Sequence, residues 1–180
     1  MKGIVFREFI QMVEDQFSIE TADSIINASS LASGGSYTSI GTYPHEEMLA
    51  LVKQLSLRSG RSTSDLLRHF GRHLFHRFAM IHPQYVITHS NAFELLTVLD
   101  GHIHKEVHKL YKDAELPAFE HERINEQTMI FVYRSKRAMA DFAHGLIEGC
   151  IAYFGDPLRV ERADYPQDEG SPTRFTLTRI

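Results

Sequence analysis

The sequence predicts an α+β fold in one domain of 180 residues, with helices first and an antiparallel sheet last. Three observations carry that prediction. Apolar residues recur at three- and four-residue spacing through the first two-thirds of the chain. Residues 128–133, TMIFVY, are β-branched and aromatic, the composition of a strand. Residues 158–163 and 174–178 alternate with period two, which suits a final strand pair joined by the turn PQDEGSP. A run of helices followed by strands with one inserted helix is an α+β order.

Taken in order, residues 3–16 carry Ile4, Val5, Phe9, Ile10 and Val13 near helical spacing, and residues 19–28 form a second helix ending in SSLASGGSYTS. Pro44 sits where a first-turn proline belongs, ahead of Glu46, Glu47 and the stripe Leu49, Leu51, Val52 and Leu55. Ser62 or Ser64 caps a long helix through Met80, stopped at His82-Pro83. Ser90 or Asn91 starts another that runs to about Lys112 and stops before Pro117. After the strand at 128–133, residues 136–154 return to helical spacing, with Met139, Phe142, Leu146, Cys150 and Tyr153 near one face.

Composition narrows the function. Hydrophobic residues make up 43%, enough for a core without staples. The net charge of −4 and the absence of a basic block argue against a nucleic-acid platform. One cysteine, Cys150, leaves no internal disulfide and no thiolate cluster, as in a reducing compartment. The N-terminus MKGIVFREFIQMVEDQF is broken by charge every few residues, so it is neither a signal peptide nor a membrane span. These features describe a cytoplasmic protein.

Eleven histidines are present, and most gather between His69 and His121. His69, His73 and His76 share one side of the long helix, a spacing that could chelate a metal. Leu66, Leu67, Phe70, Leu74 and Phe78 occupy the opposite arc, so the trio reads as a solvated face with Arg72. In GHIHKEVHKLY, residues 101–111, the buried arc is Leu95, Leu96, Leu99, Ile103, Val107 and Leu110, with His104 at its edge. A histidine there is a satisfied core residue, a surface residue or an axial ligand, and periodicity leaves the three open. Tyr133, Ser135 and Arg137 fall where a strand end opens a helix; two hydroxyls and a guanidinium suit an anion, and a solvated basic pair suits the position equally.

Together, MKGIVF, IHKEVHKLY, AELPAF, the tyrosine–any–serine–any–arginine triplet at 133–137 and LIEGCIAYFG resemble the haem–nitric oxide/oxygen binding (H-NOX) family, relatives of the soluble guanylate cyclase haem domain. The resemblance covers essentially the whole chain. It implies an α+β fold with haem b (iron protoporphyrin IX) between the helical and mixed parts, and His104 as the iron ligand. It also implies that Tyr133, Ser135 and Arg137 hold the haem propionates and that Pro117 presses on the porphyrin. Val5, Phe9, Leu74, Phe78, Phe142 and Leu146 are then the pocket residues. Oxygen-binding relatives carry a tyrosine nine residues after the motif tyrosine, and here that position is Phe142. A phenyl ring offers bound oxygen no hydrogen bond, so nitric oxide and carbon monoxide are the expected ligands. The zinc-binding cysteine cluster of some relatives has no counterpart beyond Cys150.

The expected role is sensing rather than catalysis. Nitric oxide weakens the bond across the iron, so His104 should be released and its helix freed. With the sequence ending at Ile180, the signal should pass to a separate protein, a histidine kinase before a cyclic-di-GMP enzyme, through charged positions near Lys105 and Lys109. A haem or gas carrier is the rival function, and a small metalloenzyme on His69, His73 and His76 is a second.

Overall fold

A computed structural model describes residues 1–137, 139–165 and 172–180. The helices are α1 (Gly3–Gln16), α2 (Ile19–Ala28), α3 (His45–Ser59), α4 (Thr63–Ile81), α5 (Ala92–Val98), α6 (His104–Leu110) and α7 (Ala140–Phe154). The strands are β1 (Ala118–Arg123), β2 (Thr128–Arg134), β3 (Leu158–Asp164) and β4 (Thr173–Arg179), hydrogen-bonded as an antiparallel sheet in the order β1-β2-β4-β3. This is the α+β arrangement expected from the sequence.

Local chemistry sets the helix ends. Ser18 Oγ accepts the Thr21 N–H at 3.1 Å, and Ser62 Oγ accepts that of Asp65 at 3.0 Å. Asn91 and Glu94 form a capping box, in which Asn91 Oδ1 accepts the Glu94 N–H at 3.0 Å and Glu94 Oε2 accepts the Ser90 N–H at 2.8 Å. Gly155 ends α7 at φ 67°, a left-handed conformation that disfavours a side chain.

Two apolar clusters form the core. The first joins α1, α2 and α3 to α4 through Phe6, Phe9, Ile25, Met48, Leu55 and Phe70. The second joins α5, the sheet and the other side of α7 through Phe93, Leu96, Phe131, Ile147 and Phe175. On β2 and β4 the period of two brings Met129 opposite Leu177 and Phe131 opposite Phe175, all four buried. Helices α4 and α7 contribute to both clusters and cross closely. A Cβ on Gly71 would overlap the Phe142 carbonyl, and one on Gly145 would overlap that of Arg68. The crossing is pinned by Glu148, which accepts from Arg68 Nε at 2.8 Å and Arg72 Nη1 at 2.7 Å.

Several elements differ from the sequence expectation. The helix expected to run unbroken to Lys112 is α5, a π-helical turn at Leu99–Ile103, and α6, which stops at Leu110. The His104 N–H reaches back five residues to the Leu99 carbonyl, a one-residue insertion that a 3.6-residue period cannot reveal. Strand β1 was not anticipated: AFEHER is an exposed edge in which only Phe119 is half-buried, so no alternation marks it. Helix α7 begins at Ala140 rather than near Lys136, because Ser135 Oγ accepts the Arg137 N–H at 3.1 Å and holds the chain in a turn. Pro44 is the residue before α3 rather than its first, and Tyr153 is exposed rather than on the buried side of α7. Of the turn PQDEGSP, all but Pro172 lies outside the described residues.

Candidate functional site

The residues singled out by resemblance fall into two groups that follow the two clusters. Val5 and Phe9 on α1, Leu74 and Phe78 on α4, and Phe142 and Leu146 on α7 all belong to the first cluster. Phe9 and Leu74 are fully enclosed, whereas Val5, Phe78, Phe142 and Leu146 are half-buried. The Phe142 ring stacks on Phe70 at 5.1 Å and 27°, and Phe70 meets Phe9 edge-on at 5.1 Å. That packing fixes the phenyl ring and presents hydrocarbon.

His104 lies with the second cluster. It opens α6 directly after the π-turn, and its side chain is only 15% exposed. Nδ1 lies 3.1 Å from Asp100 Oδ1, one turn earlier, and Nε2 has no hydrogen-bond partner among the described residues. Burial pulls the imidazole pKa below its usual value, although the hydrogen bond and charge of Asp100 oppose the shift. The ring therefore favours the neutral form, which is the form able to donate a lone pair to a metal. Phe119 on β1 sits 5.6 Å from the His104 ring and packs on Phe131 at 4.8 Å and Tyr133 at 5.4 Å.

Tyr133, Ser135 and Arg137 emerge from the end of β2. Tyr133 is buried, which raises its phenol pKa, while Ser135 and the Arg137 charge act the other way. Ser135 and Arg137 lie in the turn before α7, not on a helix N-terminus, so anion binding there depends on side chains rather than on a helix dipole. The Arg137 side chain is 15% exposed and pairs with Glu115 at 3.1 Å, two residues before half-buried Pro117. The triplet, the Pro117 segment and His104 are thus linked through Glu115 and Phe119. Both residues lie in the AELPAF motif but were given no role in the sequence, and Asp100 was legible there only as a carboxylate four residues before a histidine.

The donor set suits an iron porphyrin: one neutral imidazole with a free nitrogen, two partly exposed apolar faces, and hydroxyl and guanidinium donors for carboxylates. The other histidines behave differently. His69 Nε2 meets Gln16 Oε1, His76 is exposed, and His73 Nε2 is buried with no partner among the described residues, so the face expected to be solvated is only partly so. Among the described residues no group of three His, Cys, Asp or Glu is placed to hold a metal ion. Among the same residues no helix is long and apolar enough to cross a membrane.

Residues 2–162 match the family model described as haem-NO-binding. The unliganded Fe(II) H-NOX protein of K. algicida is 37% identical over 100% of this chain and 97% of its own, with a TM-score of 0.92. The H-NOX of Shewanella woodyi, solved in its Fe(II)CO state, is 39% identical over 100% of this chain and 95% of its own, with a TM-score of 0.85. The S. oneidensis H-NOX in its Fe(II)NO state shares the fold at a TM-score of 0.90 and 22% identity, covering 98% of each chain. No curated protein matches the sequence.

Proposed function

The chain belongs to the haem-NO-binding (H-NOX) family of haem-based gas sensors, and from that premise we propose that residues 1–180 form one domain that holds haem b and signals nitric oxide through His104. The haem supplies a ferrous iron able to take up small diatomic gases. Family members are sensor domains rather than catalysts, and an enzymatic role is not part of the proposal.

One observation carries the reading: the enclosed His104 is held at Nδ1 by Asp100 and packed beside Phe119, with Nε2 unpartnered among the described residues. Tyr133, Ser135 and Arg137 bind the two propionates, with Arg137 exchanging Glu115 for a ligand carboxylate. Pro117, in the segment that Glu115 ties to Arg137, presses on the macrocycle.

Gas choice follows from the first cluster. Val5, Phe9, Leu74, Phe78, Phe142 and Leu146 offer no hydrogen-bond donor, which disfavours oxygen and leaves nitric oxide and carbon monoxide as ligands. Of the tyrosines packed on that cluster, Tyr37 donates its hydroxyl to Glu47 Oε2 at 2.7 Å, and Tyr43 Oη accepts the Thr38 N–H at 2.9 Å.

With haem bound, nitric oxide would release His104, and the segment from α5 to α6 would lose its tether and shift between two packed arrangements. Its far end is linked to the N-terminus, because Lys2 Nζ reaches both Asp113 carboxylate oxygens at 3.2 Å and lies 5.0 Å from the Tyr111 ring centroid. A separate partner, a histidine kinase in preference to a cyclic-di-GMP enzyme, reads the face bearing Lys105 and Lys109. The compartment is the cytoplasm, where buried Cys150, its thiol pKa pushed up by burial, stays reduced.

His104→Gly tests the ligand. The variant should lose the wild-type ferrous spectrum and regain haem binding with added imidazole. A wild-type ferrous spectrum in His104→Gly without imidazole sinks the assignment.

A further inference from the structure

We propose that Asp100 is a positioning residue for His104: its carboxylate accepts the Nδ1–H and so fixes which nitrogen faces the iron. This deepens the functional reading and rests on His104 being the axial ligand.

The π-turn makes the pairing. Asp100 and His104 stand at the two ends of one widened turn, with the imidazole Nδ1 3.1 Å from Asp100 Oδ1. A neutral imidazole has one N–H and one lone pair, and the partner of the N–H decides which nitrogen carries the pair. A ring this enclosed needs a protein acceptor for its N–H, and among the described residues no other side chain hydrogen-bonds it. The carboxylate is itself about half exposed, whereas the imidazole is enclosed. Phe119, 5.6 Å away and braced by Phe131, limits rotation of the ring from the sheet side.

A carboxylate on Nδ1–H has a second consequence. It draws the proton toward itself and leaves Nε2 richer in electron density, so the bond to the metal strengthens. Asp100 therefore raises the resistance that nitric oxide must overcome to release His104. An ordinary surface pair at four-residue spacing has no such effect, because it stabilises a helix without touching the ligand's electronics.

Two readouts separate these roles in Asp100→Ala, Asp100→Asn and Asp100→Glu. In the haem-free protein, nitrogen NMR of His104 should show the Nδ1–H tautomer in the wild type and a mixture in Asp100→Ala. In the reduced haem protein, resonance Raman should place the iron–histidine stretch of Asp100→Ala below the wild type, with Asp100→Asn between them and Asp100→Glu partly restored. Haem loss from Asp100→Ala should be about tenfold faster. Unchanged tautomer and unchanged stretching frequency in Asp100→Ala overturn the positioning role, whatever the variant's melting temperature. His104→Gly measured alongside keeps the two readings apart. If it loses the stretch while Asp100→Ala does not move it, only the role of Asp100 fails; if it retains the stretch, the ligand assignment fails with it.

Discussion

Arg137 shows how much of the site rests on single side chains. It is enclosed, it lies in a turn rather than on a helix end, and its hydrogen-bonded acid among the described residues is Glu115, whose carboxylate is exposed. Exchanging a solvated acid for a haem propionate costs little, and the new pair is a charge-assisted hydrogen bond worth about 1.5–3 kcal/mol. Arg137→Ala should then speed haem transfer to an apo-globin scavenger by roughly one to two orders of magnitude. Tyr133→Phe and Ser135→Ala should each do less, since a neutral donor contributes less than a guanidinium. Transfer rates indistinguishable from the wild type in Arg137→Ala remove the propionate assignment.

Among the elements, the segment from α5 through the π-turn to α6 is the one proposed to join ligand to signal. It carries His104, and Pro117 follows it by a short loop bound to Arg137 through Glu115. Pro117→Ala should relax both the loop and the pressure on the macrocycle, so it should mimic nitric oxide in a partner-kinase assay without any gas. A kinase that responds to nitric oxide but ignores Pro117→Ala separates the loop from the signal. How far these elements could be read from the sequence depended on the kind of pattern each leaves. Helices α1, α2 and α4 were legible because each buries an apolar stripe, β2 through its β-branched and aromatic composition, and β3 and β4 because their exposure alternates with period two. The π-turn was not, since one inserted residue leaves the stripe nearly intact. Strand β1 was hidden because an edge strand with charged residues has no buried face to mark it. The pocket residues of the first cluster were assigned by resemblance, and only Leu74 and Phe78 had an independent sign of burial in the helix period. Glu115 and Phe119 depend on tertiary contacts that no local pattern encodes, whereas Asp100 meets His104 across one helical turn.

At the scale of the whole molecule, two apolar clusters share α4 and α7, and buried histidines sit in both halves. His69, His73, His104 and His144 all have pKa values pulled below the usual 6.5, with burial the largest cause in each case. A depressed folded-state value means that the unfolded chain takes up the proton first as pH falls. In the haem-free protein this stability is complete above the ordinary imidazole range and is lost as pH falls through the depressed values. Its melting temperature should therefore fall between about pH 7 and pH 5; a melting temperature that rises over that interval contradicts the burial of these rings. With haem bound, the coupling of the two clusters through His104 and Phe142 is open to one measurement, the absorption spectrum of the reduced protein in air and then under nitric oxide. Air should leave the ferrous spectrum without a stable oxygen complex, and nitric oxide should give the spectrum of an iron that has lost its histidine. Phe142→Tyr should be the variant that gains an oxygen complex. A stable oxygen complex in the wild type, or a nitric oxide form that keeps its histidine at room temperature, contradicts the account.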